Sequence, residues 1–262
     1  MNFNLKSKVA IIGGASKGLG KACAVSLAKE GVNVVICARN KRKLDETAIE
    51  IKKLGVDVLA VSGDMSSNDD NVLVVEKTLE KFGRIDILIN NSGGPKAGTF
   101  SDINEDEFIS AFESVLLYVY RMNKLVIPHM AQNKFGRIIN ITSLSVKEPA
   151  PSLLLSNVFR SGVVAMSRSM TKELIKDNIT TNNICPGAFK TDRAIELMGN
   201  AAIKQNKTIE DIEEAAIAKL PLGRYQSPEE LGDLVAYLCS EQAKGITGTT
   251  VQIDGGIYTG LL

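Results

Sequence analysis

Hydrophobic positions along the chain follow two alternating rhythms. Short β-branched runs are separated by longer stretches in which apolar residues recur at helical spacing. The first read as strands, the second as amphipathic helices that pack against them. Strands are expected at Val9 to Ile12, Asn33 to Ala38, Val56 to Ser62, Ile85 to Asn90, Arg137 to Thr142, Thr180 to Cys185 and Thr249 to Ile253. Helices are expected between them at Leu19 to Glu30, Lys41 to Leu54, Asn68 to Phe82, Glu105 to Met130 and Leu154 to Lys176. Such strand-helix repetition predicts an α/β fold with a doubly wound parallel sheet. Ser227-Pro228-Glu229-Glu230 combines an N-cap serine, an N1 proline and a glutamate three residues on, so a last helix starts there and ends near Ser240.

No linker or repeat interrupts the series, and the reading is a single domain over residues 1–262. The one irregular stretch runs from Asp192 to Leu222 and carries a helical pattern of its own, "KTIEDIEEAAIAKL". An insertion beyond the C-terminal end of a strand lies over the ligand crevice of a doubly wound sheet. A substrate lid is therefore expected at about residues 192–222.

After the first expected strand comes "GGASKGLGKA", with Gly14, Gly18 and Gly20 opening an apolar helix. Glycines at a strand-to-helix turn let backbone amides approach a pyrophosphate, and the helix N-terminus stabilises its charge. In this context the turn implies a Rossmann fold binding a dinucleotide. Where an NAD-selective chain carries an acid at the end of the second strand, this one has Ala38 and Arg39. Arg39, with Lys17 in the turn, offers cations to a 2′-phosphate. NADP is the expected cofactor, and NAD is disfavoured.

Composition narrows the partners. A formal charge of +1 gives no field for nucleic acid or a membrane surface. The four cysteines lack any C-x-x-C pair or histidine at ligand spacing, so no metal site is expected. Cys23, Cys37 and Cys239 lie in apolar stretches as buried thiols, as in a reduced cytoplasmic protein. The segment Met1 to Lys8 is polar and resembles no signal peptide. A small-molecule substrate is the remaining expectation.

Several ordered motifs carry a resemblance to the short-chain dehydrogenase/reductase family over nearly the whole chain. "GGASKGLG" resembles the family's T-G-x-x-x-G-x-G, with Gly13 in the threonine position; "GDMSS", "NNSGG", "CPGAFKTD" and "ITGTTVQIDGG" resemble later family elements. The nearest general likeness is to 3-oxoacyl-ACP-reductase-like members. The resemblance implies cofactor contacts from Gly14, Ser16, Lys17, Gly18, Leu19 and Gly20, and from Arg39. It implies Asp64 and Met65 at the adenine, Asn91, Ser92 and Gly93 beyond it, and Pro186, Gly187, Phe189 and Thr191 at the nicotinamide carboxamide. It also implies a homo-tetramer or homo-dimer built on the central helix and the one after the fifth strand.

Catalysis in the family resembles general-acid work by a tyrosine, with a lysine, a serine and an asparagine in support. Ser143 in "NITS" takes the position of the substrate-orienting serine. The tyrosine slot falls on Ser156, the lysine slot on Arg160 and the asparagine slot on Val115. No tyrosine occurs between Tyr120 and Tyr225, so no shift of register restores the phenol. Serine is far less acidic than a phenol, and arginine holds ribose hydroxyls but does not readily shuttle a proton.

Three explanations stay open. Another group supplies the proton, with Lys147 on the loop after Ser143 and Tyr118 or Tyr120 on the central helix as candidates. Or hydride positioning dominates, and water or substrate supplies the proton. Or the chain binds NADP without turnover, as a sensor or scaffold. His129, the only histidine, falls at the helix end remote from the strand C-termini. The expectation is an NADP-dependent oxidoreductase acting on a small carbonyl or alcohol through Ser143, Ser156, Arg160 and Lys147.

Overall fold

The computed structural model describes residues 2–261, so Met1 and Leu262 of the expected domain lie outside the described residues. Seven strands form one parallel sheet in the order β3-β2-β1-β4-β5-β6-β7. They are β1 (Val9–Gly13), β2 (Asn33–Ala38), β3 (Val58–Ser62), β4 (Ile87–Asn90), β5 (Gly136–Ile141), β6 (Ile179–Pro186) and β7 (Thr250–Ile253). Each lies within two residues of its expected bounds. Between β1 and β4 the winding reverses, and a crevice opens there at the strand C-termini.

The strands read as near-continuous apolar runs because both faces are covered. Ala10 and Ile12 of β1 face one core with α1 (Gly18–Lys29), α2 (Lys41–Lys52) and α9 (Pro228–Cys239). Val9 and Ile11 face the other, with α3 (Asn68–Phe82), α5 (Tyr118–Gln132) and α6 (Leu154–Leu174). This is the period-two alternation of a strand buried on both sides. Gly232 of α9 packs so closely on α1 that a Cβ there would lie 2.7 Å from the Ala22 carbonyl oxygen.

The central helix departs from expectation. Instead of one regular helix from Glu105, α4 (Glu105–Ala111) passes into a π turn over Phe112–Leu117 and then into α5. Such turns insert one residue into the helix and recur at functional sites. Here the turn places Val115 inward, 2% exposed, against the crevice side of the core. The segment expected as a lid is two helices, α7 (Asp192–Gln205) and α8 (Ile209–Ile217). Thr191 caps α7 by accepting from Ala194 N at 3.2 Å, and Thr208 caps α8 by accepting from Asp211 N at 3.0 Å.

Candidate active site

The glycine turn joins β1 to α1 at the switch point. Gly14 and Gly18 hold φ of +58° and +57°, a region that side chains rarely adopt. Gly20 is needed for space: a Cβ there would lie 2.4 Å from the Gly14 carbonyl oxygen and 2.7 Å from Asn91 Nδ2. Asn91 ties the turn to the end of β4 by donating from Nδ2 to Gly13 O at 3.0 Å. Ser16 is fixed from α2, where Thr47 Oγ1 donates to its carbonyl at 3.2 Å. Lys17 is exposed at the N-cap of α1, and Leu19 packs on the core below.

At the end of β2, Arg39 projects into solvent with its guanidinium 3.7 Å from the Asp64 carboxylate. Burial pushes the Asp64 carboxyl up, but hydrogen bonds from Ser66 and the Arg39 charge outweigh it and hold the group below its ordinary value. Met65 is buried against α3. Ser92 and Gly93 follow Asn91 on the crevice rim, with Gly93 exposed. Thr191 faces the glycine turn across the crevice, since a Cβ on Gly18 would lie 3.7 Å from Thr191 Cβ. Pro186 and Gly187 are half-buried beside Asp254. Phe189 is 5% exposed, and its side chain packs in the core.

Ser143, Ser156 and Arg160 come together at the C-terminal end of β5. Ser143 is half-buried, and its Oγ accepts from Ser145 N at 3.2 Å. Ser156 is 7% exposed, with its Oγ 3.2 Å from Ser145 Oγ. Arg160 is 8% exposed and donates from Nη1 to the Ile141 carbonyl at 2.7 Å. Burial brings its guanidinium down to about 10, with Tyr118 and Cys185 acting in the opposite sense.

Lys147 closes the loop after Ser143, with Nζ 5.6 Å from the Tyr258 ring centroid. The two tyrosine candidates separate. Tyr118 is 1% exposed and beside Arg160, with burial pushing its phenol well above the ordinary value, whereas Tyr120 is 50% exposed. His129 belongs to the opposite end of the sheet: its carbonyl accepts from Asn133, whose side chain donates to Ile85 O below β4.

The family described as enoyl-(acyl carrier protein) reductase matches residues 14–258. Dehydrogenase/reductase SDR family member 4 of Caenorhabditis elegans is 35% identical over 258 residues, 98% of this chain and 97% of its own. The chain belongs to the short-chain dehydrogenase/reductase family. L-Sorbose reductase from Gluconobacter frateurii, solved with NADPH and L-sorbose, superposes on this short-chain dehydrogenase/reductase with a TM-score of 0.96 at 31% identity, covering 100% of each chain. NADPH-dependent reductase BacG of Bacillus subtilis is 32% identical over 254 residues, 96% of this chain and 98% of its own. Membership makes the protein an oxidoreductase of the short-chain type. No helix among the described residues is long and apolar enough to cross a membrane.

Sequence reasoning passed over one feature beside the site. Asn90, Asn140 and Asn183 stand next to one another on β4, β5 and β6 in the buried interior. The sequence signal was an asparagine in each of three strands, closing "ILIN" and "RIIN" and standing second of two in "TTNNIC". Only the sheet register makes them neighbours.

Proposed function

We propose that the protein is an NADP-dependent reductase of a small carbonyl compound, or the NADP-dependent dehydrogenase of the matching alcohol. The observation that carries this reading is the glycine turn with a basic rather than acidic end to β2. The turn fits a dinucleotide because Gly14 and Gly18 hold positive φ and Gly20 has no room for a Cβ, and Arg39 and Lys17 stand exposed where a 2′-phosphate would lie. Bound NADPH would supply the hydride. Arg160 holds the ribose hydroxyls from its buried position. Asp64, Met65 and the Asn91-Ser92-Gly93 rim take the adenosine side, and Pro186, Gly187, Thr191 and the Phe189 backbone take the carboxamide side. Ser143 orients the substrate oxygen with a hydroxyl that is only partly buried.

In this reading Ser156 and Arg160 stand where the family's tyrosine and lysine do, and the proton comes from elsewhere. Lys147 is the assigned donor: it lies on the same loop as Ser143, and an ammonium passes a proton to the oxygen as hydride reaches the carbon. Helices α7 and α8 form the lid over the crevice. Phe108, Ile109, Phe112 and Val158 are each at least 38% exposed on α4, the π turn and α6, and we assign them to the contact between copies in a dimer or tetramer.

One observation favours the alternative of an NADP-binding sensor or scaffold: the Ser156 hydroxyl meets Ser145, and the resolved Arg160 bond goes to a backbone carbonyl. The deciding experiment is NADPH oxidation over a panel of ketoses, other ketones, quinones and acyl thioesters, with wild type and Ser143→Ala. Turnover that Ser143→Ala lowers about 10- to 100-fold supports the enzyme. NADPH binding without turnover on any member supports the sensor, and no binding of either dinucleotide sinks both.

Cofactor choice has its own test. Arg39→Asp removes one cation from the 2′-phosphate and offers the ribose hydroxyl an acceptor. The expected result by calorimetry is NADPH affinity down about 10- to 100-fold and NADH affinity level or higher, from the loss of a charge-assisted hydrogen bond. Unchanged NADPH affinity would remove Arg39 from the site.

A further inference from the structure

A polar line crosses the sheet interior and stops at the candidate site. Asn90 Nδ2 donates to Asn140 Oδ1 at 2.8 Å, Asn140 Nδ2 donates to Asn183 Oδ1 at 3.0 Å, and Asn183 Nδ2 reaches Thr250 Oγ1 at 3.3 Å. Asn90 Nδ2 also reaches Asn123 Oδ1 of α5 at 3.2 Å. The amides along the strands all point the same way. Each one that donates becomes a better acceptor at its own oxygen, so such a chain polarises along its length. Its electron-rich end is Asn90 Oδ1.

That oxygen is buried and meets no protein donor, and the buried Tyr118 hydroxyl, although the Asn91 backbone N–H lies close to it, finds no acceptor for its own proton. Both residues line one small cavity of about 10 Å³, and the side wall of that cavity includes Arg160 and Val115. A space of this size is about that of one water, and a buried water needs polar partners. Val115 contributes none. Leaving two buried polar groups unsatisfied is costly, and a bridging water removes that cost.

We propose that this cavity is a one-water site, and that Tyr118 is a positioning residue that acts through the water on Arg160. The water donates to Asn90 Oδ1 and shares a hydrogen bond with the Tyr118 hydroxyl. Arg160, whose Nη1 is committed to Ile141, is steadied by the same unit on its inner side. The guanidinium then faces the crevice in a fixed orientation. This rests on the reading of Arg160 as a cofactor contact given above.

Tyr118→Phe keeps the ring and deletes only the hydroxyl. Calorimetry with NADPH should show affinity reduced about 3- to 10-fold, the scale of one hydrogen bond. In an Arg160→Met background the same change should have no further effect, because the partner it positions is gone. A loss from packing alone would persist in that background. A high-resolution crystal structure of the wild type should show one water within hydrogen-bond reach of Asn90 Oδ1 and Tyr118 Oη. A dry cavity overturns the proposal, as does wild-type NADPH binding that Tyr118→Phe leaves unaltered or weakens equally in both backgrounds. Wild-type protein that binds no dinucleotide overturns the proposed function and with it Tyr118's positioning role, while the crystal structure still decides the water.

Discussion

Arg160→Met is expected to weaken NADPH binding while leaving the stability of the cofactor-free protein almost unchanged. Buried at the C-terminal end of β5, the guanidinium has lost most of its hydration, and its resolved hydrogen bond goes to a neutral carbonyl. A buried charge without a counter-charge is costly to the fold. Burial therefore lowers its pKa to about 10, well below its ordinary value. The folded chain thus releases this proton before the unfolded chain does. Between those two values the unfolded state holds more protons and stability rises with pH; below about 10 the cost is constant. Methionine removes the charge at similar volume and gives up the bond to Ile141. The two changes oppose each other, so the cofactor-free variant should unfold at a temperature no more than a few degrees from the wild type, within about 1 kcal/mol. NADPH affinity should fall about 10- to 100-fold, the scale of a charge-assisted hydrogen bond. Thermal melts with and without NADPH read both at once. Loss of more than about 2 kcal/mol in the cofactor-free melt would show that Arg160 holds the fold, and unchanged affinity would show that it does not touch the cofactor.

The contrast between what the sequence made legible here and what it hid has a physical basis. Strands buried on both faces leave long apolar runs, and the turn of Gly14, Gly18 and Gly20 has a context that few other structures share. The fold and the glycine turn between β1 and α1 were accordingly readable. The π turn was not, because Phe112–Leu117 is apolar on several sides and one inserted residue leaves no mark in such a pattern. Helix α7 was hidden differently. Its apolar stripe through Ile195, Met198 and Ala202 is short, and only Met198 and Ala202 are buried while Ile195, Leu197 and Ile203 are exposed, so the helix lies on the surface and not in the core. Its start signal was present: Thr191 is an N-cap as well as a candidate cofactor contact, and one residue serves both ends of that junction. The asparagine line depends on register across β4, β5 and β6, a long-range property that no local window contains. Residues whose roles come from their neighbours across the sheet are the ones a chain-order reading misses.

Gly20→Ala should have the largest effect of any single methyl group in the molecule. The added carbon would lie 2.4 Å from the Gly14 carbonyl oxygen, 2.8 Å from the Gly14 carbonyl carbon and 2.7 Å from Asn91 Nδ2. Two of these are backbone atoms of a turn already committed to positive φ at Gly14, so the contact cannot be relieved by rotating a side chain. Either α1 moves away from β1, or Gly14 and Asn91 move together. Both routes strain the bond from Asn91 Nδ2 to Gly13 O that ties the turn to β4. Overpacking of this kind costs about 1–3 kcal/mol, or a melting temperature lower by roughly 2–12 °C in a domain of this size. The functional loss should be greater. Amides that cradle a pyrophosphate act only when several converge on it, so shifting the turn by even half an ångström removes several contacts together. NADPH affinity is expected to fall more than about 100-fold, while the far side of the sheet stays ordered. Calorimetry and a thermal melt on the same sample check both parts. A stable Gly20→Ala protein with wild-type affinity would mean that the dinucleotide does not lie on this turn, and the basic end of β2 would then need another explanation.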